Sequence, residues 1–155
     1  MLFVWLGLCL GLIVATAAVL YRFAMRQSGG AAPRRARGDF AAQRAALESA
    51  FFTAAANSGL PRGLRWKAIE WEPGVEFARE KTTQRLAALI GVTIQFEAVP
   101  GGDMEGLPAV GNLRNASALF FYHAGRWRTS GKALFNLNPD EVLERFAAQY
   151  ERLTD

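Results

Sequence analysis

The chain has a single cysteine, Cys9, and a single histidine, His123, among its 155 residues. One cysteine excludes an intrachain disulfide and any metal site built on clustered thiolates. One histidine excludes a zinc centre assembled from two or three imidazoles. Residues 2–21, LFVWLGLCLGLIVATAAVLY, lack any charged side chain and any proline. Such a run reaches about 30 Å as a helix, the thickness of a bilayer's hydrocarbon core. In lipid the backbone must satisfy its own hydrogen bonds, so a single apolar segment of this length predicts a transmembrane helix. Trp5 and Tyr21 stand near its two ends, where amphipathic rings suit the headgroup layer. A cleaved secretory signal fits less well, because no Lys or Arg precedes the run and the run is too long.

The basic residues that flank this segment all follow it: Arg22, Arg26, Arg34, Arg35 and Arg37. Arginine excess beside one end of a span places that end in the cytoplasm. The expected topology is therefore a single pass with the N-terminus outside and the remaining chain on the cytoplasmic side. The whole chain carries 18 Lys and Arg against 14 Asp and Glu; without those five arginines the balance is 13 against 14. Basicity is thus local. A domain-wide nucleic-acid footprint, which needs a basic face or stripe, is excluded as the reading, and the arginines read instead as a topology signal that also suits anionic lipid.

Residues 22–38, rich in small residues and arginine, read as a basic flexible linker. Residues 39–155, about 117 of them, suit one domain with a modest core. Its first helix is expected from Phe40 to Asn57, with Asp39 as N-cap and Gly59 ending it. Phe40, Leu47, Phe51 and Ala54 or Ala55 share one face of that helix, and Arg44 and Glu48 form an i,i+4 pair on another. Residues 64–79 read as a β-hairpin about Pro73-Gly74, which suits a type II turn. Val92, Ile94, Phe96 and Ala98 alternate with polar residues, so a strand is expected from about Leu86 onward, with Gly91 at a bulge or close crossing. Residues 100–112 hold four glycines and two prolines and form a loop. Strands over 117–123 and 127–137 flank a turn at Ala124-Gly125-Arg126. Asn138-Pro139-Asp140-Glu141 has capping-box spacing with proline at the first helical position. Val142, Phe146, Tyr150 and Leu153 then make the apolar stripe of a last helix.

This order gives an α+β fold: a mostly antiparallel sheet of four to five strands covered by two helices, with one covered face the natural layer solution, behind a transmembrane helix. Chemistry is hard to assemble from what remains. The glycine-rich loop lacks the lysine and hydroxyl of a phosphate-binding loop, and Thr129-Ser130-Gly131-Lys132 has the right residues in the wrong order. Asp103 and Glu105 lack the spacing of a calcium loop. His123 could act as a general base, but only toward a hydroxyl such as Ser117, Thr129 or Ser130 chosen without support. No catalytic, metal or cofactor-binding residue is assigned, and an enzyme is the less favoured class. Aromatic residues are numerous for two covering helices, so some are expected at an interface or pocket. Arg126, Trp127 and Arg128 are the expected interaction surface. The reading is a membrane-anchored protein-interaction or scaffold domain, with the bilayer and a protein partner or second copy as its contacts. A small-molecule or catalytic pocket in a curved sheet is the alternative.

Overall fold

The computed structural model describes residues 31–58 and 63–154. The expected membrane span, most of the linker, Arg22 and Arg26 lie outside them. Among the described residues no helix is long and apolar enough to cross a membrane. Met1–Arg35 and Ala36–Asp155 form separate compact units. Of the first, only the opening of helix α1 is described.

Helix α1, Ala31–Asn57, is followed by strands β1 (Leu64–Trp71), β2 (Glu76–Glu80) and β3 (Leu86–Ala98). A short 3-10 turn at Pro108–Gly111 precedes β4 (Arg114–His123), β5 (Arg126–Arg128) and β6 (Ala133–Phe135). Helix α2, Pro139–Arg145, and strand β7, Tyr150–Arg152, complete the chain. All seven strands pair antiparallel in one sheet. The α+β expectation holds, with more and shorter strands than the sequence suggested.

On α1, Ala36, Phe40, Leu47, Phe51 and Ala55 are buried at helical spacing. Burial of Phe40, Leu47 and Phe51 contributes about 1.5–3 kcal/mol each before ordering costs. Arg44 and Glu48 form the expected pair, Nε to Oε1 at 2.7 Å. The helix does not start near Phe40. It already runs through Pro33 and Gly38, so Asp39 lies inside it and caps nothing; its carboxylate accepts a hydrogen bond from the Tyr122 hydroxyl at 3.2 Å.

β3 is the axis of the sheet. β4 runs along one side of it from Leu86↔Tyr122 to Ile94↔Arg114. The other side is shared: β1 pairs with its second half, Leu64↔Ala98 to Trp71↔Val92, and β2 with its first, Glu76↔Leu89 to Arg79↔Leu86. Pro73-Gly74 is therefore not a hairpin turn, because the chain continues in the same direction after it. Residues 72–75 stand opposite only Ile90 and Gly91, and Pro73 has no N–H with which to extend a ladder. The opposite edge repeats the device. β5 and β6 both pair with β4, and residues 129–132 stand opposite Leu119 and Phe120. The single strand expected over 127–137 is thus two short ones. The true hairpins are β2–β3, around residues 81–85, and β4–β5, around Ala124-Gly125, where φ is 49° and 76° as a two-residue turn of that hand requires.

The two helices cover opposite faces. Ala88, Ile90, Val92 and Phe120 point to the α1 side, whereas Ala87, Leu89 and Leu119 meet Val142 and Leu143 of α2. The capping box of α2 is formed as expected: the Asn138 side chain accepts from the Glu141 N–H at 2.9 Å, and the Glu141 carboxylate from the Asn138 N–H at 2.8 Å. Tyr150 does not continue the helix. The chain turns at Phe146, whose carbonyl takes the N–H groups of Gln149 and Tyr150, and β7 then occupies the open edge of β2.

Candidate interaction surfaces

The space between α1 and the sheet is filled by interlocked rings. Phe40 meets Trp127 edge-on at 4.9 Å between centroids, Phe120 at 5.4 Å and Phe77 at 5.7 Å. Phe51 does the same with Trp71 at 5.5 Å. Edge-to-face pairs of this kind each add about 0.5–1.5 kcal/mol beyond area burial. Trp127 belongs wholly to this core: it is 4% exposed, and its indole Nε1 donates to the Ala36 carbonyl at 2.7 Å. It presents no ring to a partner. Its neighbours Arg126 and Arg128 point to the other face of β5 and are exposed, beside His123, which is paired opposite Arg126. The expected three-residue surface is therefore divided between interior and exterior. A three-residue strand with one aromatic between two arginines permits either assignment from sequence.

The polar groups suited to chemistry are spread apart or engaged in structure. Ser117 is buried and its Oγ donates to the Leu137 carbonyl at 2.8 Å. Thr129 Oγ1 donates to the Leu119 carbonyl and accepts from the Gly131 N–H, both at 3.0 Å. Ser130 is exposed in the same interruption. Asp103 is exposed in the β3–β4 loop, and the Glu105 carboxylate closes that loop by accepting from the Gly101 N–H at 2.7 Å. Among the described residues no three His, Cys, Asp or Glu side chains come together as metal ligands.

Three ion pairs lie toward the end of the sheet where α1 begins its packing. Hydrogen bonds from Thr83 and then Arg85 hold the Glu80 carboxyl below its ordinary range, and the Arg85 guanidinium lies over the Phe121 ring at 4.9 Å. Arg152 bridges Glu76 at 2.7 Å and Asp140 at 2.6 Å, and the hydrogen bond to Asp140 raises its pKa further. Burial pushes the Tyr150 phenol up. An open cleft of about 490 Å³ lies between Arg37, Phe77, Arg152 and Leu153. Arg37 stacks over Phe77 at 5.2 Å and donates to the Leu153 carbonyl at 2.6 Å, so both cations bordering the cleft already serve the fold. Arg34 and Arg35 are exposed on α1.

The other end of the sheet exposes a set of large apolar side chains alongside the Arg65–Glu97 pair. The exposed large hydrophobic side chains there are Val99, 37% exposed, Leu107 at 48%, Leu113 at 59% and Phe135 at 43%. Val99 follows β3, Leu107 lies in the loop, Leu113 precedes β4 and Phe135 ends β6, so all belong to one end. Phe135 extends the core outward, with ring centroids 6.3 Å from Phe96 and 6.4 Å from Trp66. Sequence reading missed this set; its signal was two leucines and a valine in and around a Gly- and Pro-rich loop that otherwise needs none. No protein family, curated protein or solved structure matches the chain.

Proposed function

We propose that the chain is a single-pass membrane protein, anchored by residues 2–21 with its N-terminus outside, whose cytoplasmic domain binds a protein partner and catalyses no reaction. The observation that carries this reading is the pairing of a filled interior with four exposed apolar side chains at one end of the sheet. Phe40, Phe51, Phe120, Trp71 and Trp127 occupy the volume that a ligand would need under a curved sheet, which counts against the pocket alternative. Val99, Leu107, Leu113 and Phe135 meanwhile offer apolar area to another surface. Balanced charge over the rest of the chain leaves nucleic acid out of this reading.

In-cell crosslinking of the full chain tests it, beside a Leu107→Glu/Leu113→Glu variant. Both leucines are exposed, so the variant keeps its core. A specific crosslinked protein that disappears in the variant is the expected result, and a crosslink at twice the chain mass identifies a second copy as that partner. Identical crosslinks in both proteins would exclude the apolar end as the binding surface.

A further inference from the structure

The two sides of β2 are held by different forces. Toward β3 it packs through Ala78, which is fully buried with Ala87 and Leu89. Toward β7 it meets three residues, paired from Ala78↔Arg152 to Glu80↔Tyr150. Two further hydrogen bonds extend that ladder, from the Lys81 N–H to the Gln149 carbonyl at 2.7 Å and from the Leu153 N–H to the Phe77 carbonyl at 2.9 Å. No residue from Gln149 to Thr154 is fully buried; Tyr150 and Leu153 are half-buried and the rest are exposed. The side-chain fastenings face water as well. Arg152 reaches Glu76 of β2 and Asp140 of α2, whose side chains are 37% and 64% exposed, and Lys81 Nζ donates to the Ala147 carbonyl at 2.7 Å. Exposed ion pairs hold weakly and are screened by salt. A segment with little buried apolar area and solvent-facing hydrogen bonds opens before the structure around it does.

This lightly held segment in turn holds the start of α1. Arg37 lies over the Phe77 ring at 5.2 Å and donates to the Leu153 carbonyl at 2.6 Å. Gly38 follows directly, is exposed and has open space where a side chain would be, so it adds no packing and weakens the helix at that turn. A short helical stretch of this kind depends on tertiary contacts for its order. We infer that residues 147–154 form a strap that opens as a unit while the sheet stays folded, and that in opening it releases the beginning of α1. Ionic strength is its control. Screening weakens both Arg152 pairs and leaves the apolar contact between β2 and β3 untouched.

Native-state hydrogen exchange on the full chain in a neutral detergent, read residue by residue by NMR and corrected for intrinsic rates, tests both halves. The Lys81 and Leu153 amides should exchange at least about 100-fold faster than those of Leu89 and Ile90, with no dependence on low denaturant. At about 1 M salt, or in Arg152→Gln, they should exchange faster again by about twofold to tenfold. The amides of Phe40 and Ala41, in the helical turn after Arg37, should respond to salt and to Arg152→Gln in the same direction. Arg79→Cys/Glu151→Cys, oxidised in a Cys9→Ser background, joins a directly opposed pair and locks the strap. The lock should slow Lys81 and Leu153 to the rate of central β3 and remove the salt response at Phe40 and Ala41. Arg152→Gln reads the same coupling in the opposite direction, so the outcome does not hang on that disulfide. Exchange at Lys81 and Leu153 as slow as at Leu89 and Ile90 would show that β7 unfolds only with the sheet, and would overturn the strap. Early exchange there, with Phe40 and Ala41 indifferent to salt and to Arg152→Gln, would show a frayed edge with no hold on α1, and would overturn the inference as well.

Discussion

On one edge of the sheet residues 72–75 leave the ladder opposite Ile90 and Gly91; on the other, residues 129–132 do so opposite Leu119 and Phe120. The topology is the same and the fastening is not. The first interruption is held by charge. Arg44 of α1, itself paired with Glu48, donates Nη1 to the Pro73 carbonyl at 2.6 Å and Nη2 to the Glu72 carbonyl, while the Glu72 carboxylate folds over Gly91. The second is held by backbone contact. Gly131, at φ 74°, lies so close to Ala54 and Ala55 that a Cβ there would overlap the helix backbone. Thr129 stitches that loop from within. Helix α1 is thus gripped on both flanks, by an adjustable polar clamp and by a contact with no slack.

Substitutions at three positions separate the two grips. Gly131→Ala carries the largest expected effect, a loss of about 3 kcal/mol in equilibrium denaturation, because left-handed backbone strain and overlap with α1 add. A loss under about 1 kcal/mol would show that the helix end can shift and that the contact is not rigid. Arg44→Ala should cost about 1–1.5 kcal/mol, the value of charged hydrogen bonds at a partly solvated site. Arg44→Lys should recover only part, since an ammonium cannot span both carbonyls as the planar fork does. Gly91→Ala is the smallest, within about 0.5 kcal/mol of neutral: the obstructing group is the end of a flexible Glu72 side chain, and losing a glycine reduces unfolded-chain entropy. If Gly91→Ala proved as costly as Gly131→Ala, the two interruptions would be equally rigid and the distinction would fail.

What could be read in the sequence was local or periodic. The buried face of α1, the Arg44–Glu48 pair, the span of β3 and the capping box at Asn138 all follow from spacings of two to four residues. Leu119 to Tyr122 are apolar at both parities, but the order of elements suggested helices on one face of the sheet, and the structure puts them on opposite faces. The misses were contests between local signals and distant partners. Pro73-Gly74 has the chemistry of a tight turn, but β3 is long enough to pair with chain on both sides of it, and continuing along β3 satisfies more backbone than reversing. Pro33 and Gly38 argued against helix, while the surrounding Ala and Arg residues favoured it and the contacts of Ala36 and Phe40 decided. Tyr150 keeps helical spacing with Phe146, yet the unpaired edge of β2 drew it into a strand. For the surfaces, the arginines of β5 were visible by charge alone, whereas assigning Trp127 to the core required knowing that Ala36 and Phe40 sit above it.

The broken edges also bear on how many copies can be crowded together. β3 is 13 residues long, and a partner strand of matching length on either side would present a long row of unused amide and carbonyl groups. Instead the outer positions are split into pieces of 3, 5 and 8 residues, and the longest, β1, carries Arg65, Lys67 and Glu70 on its exposed positions. Edges that are short, kinked and charged are poor templates for another chain. That geometry resists runaway self-assembly while leaving the ends of the sheet uncovered.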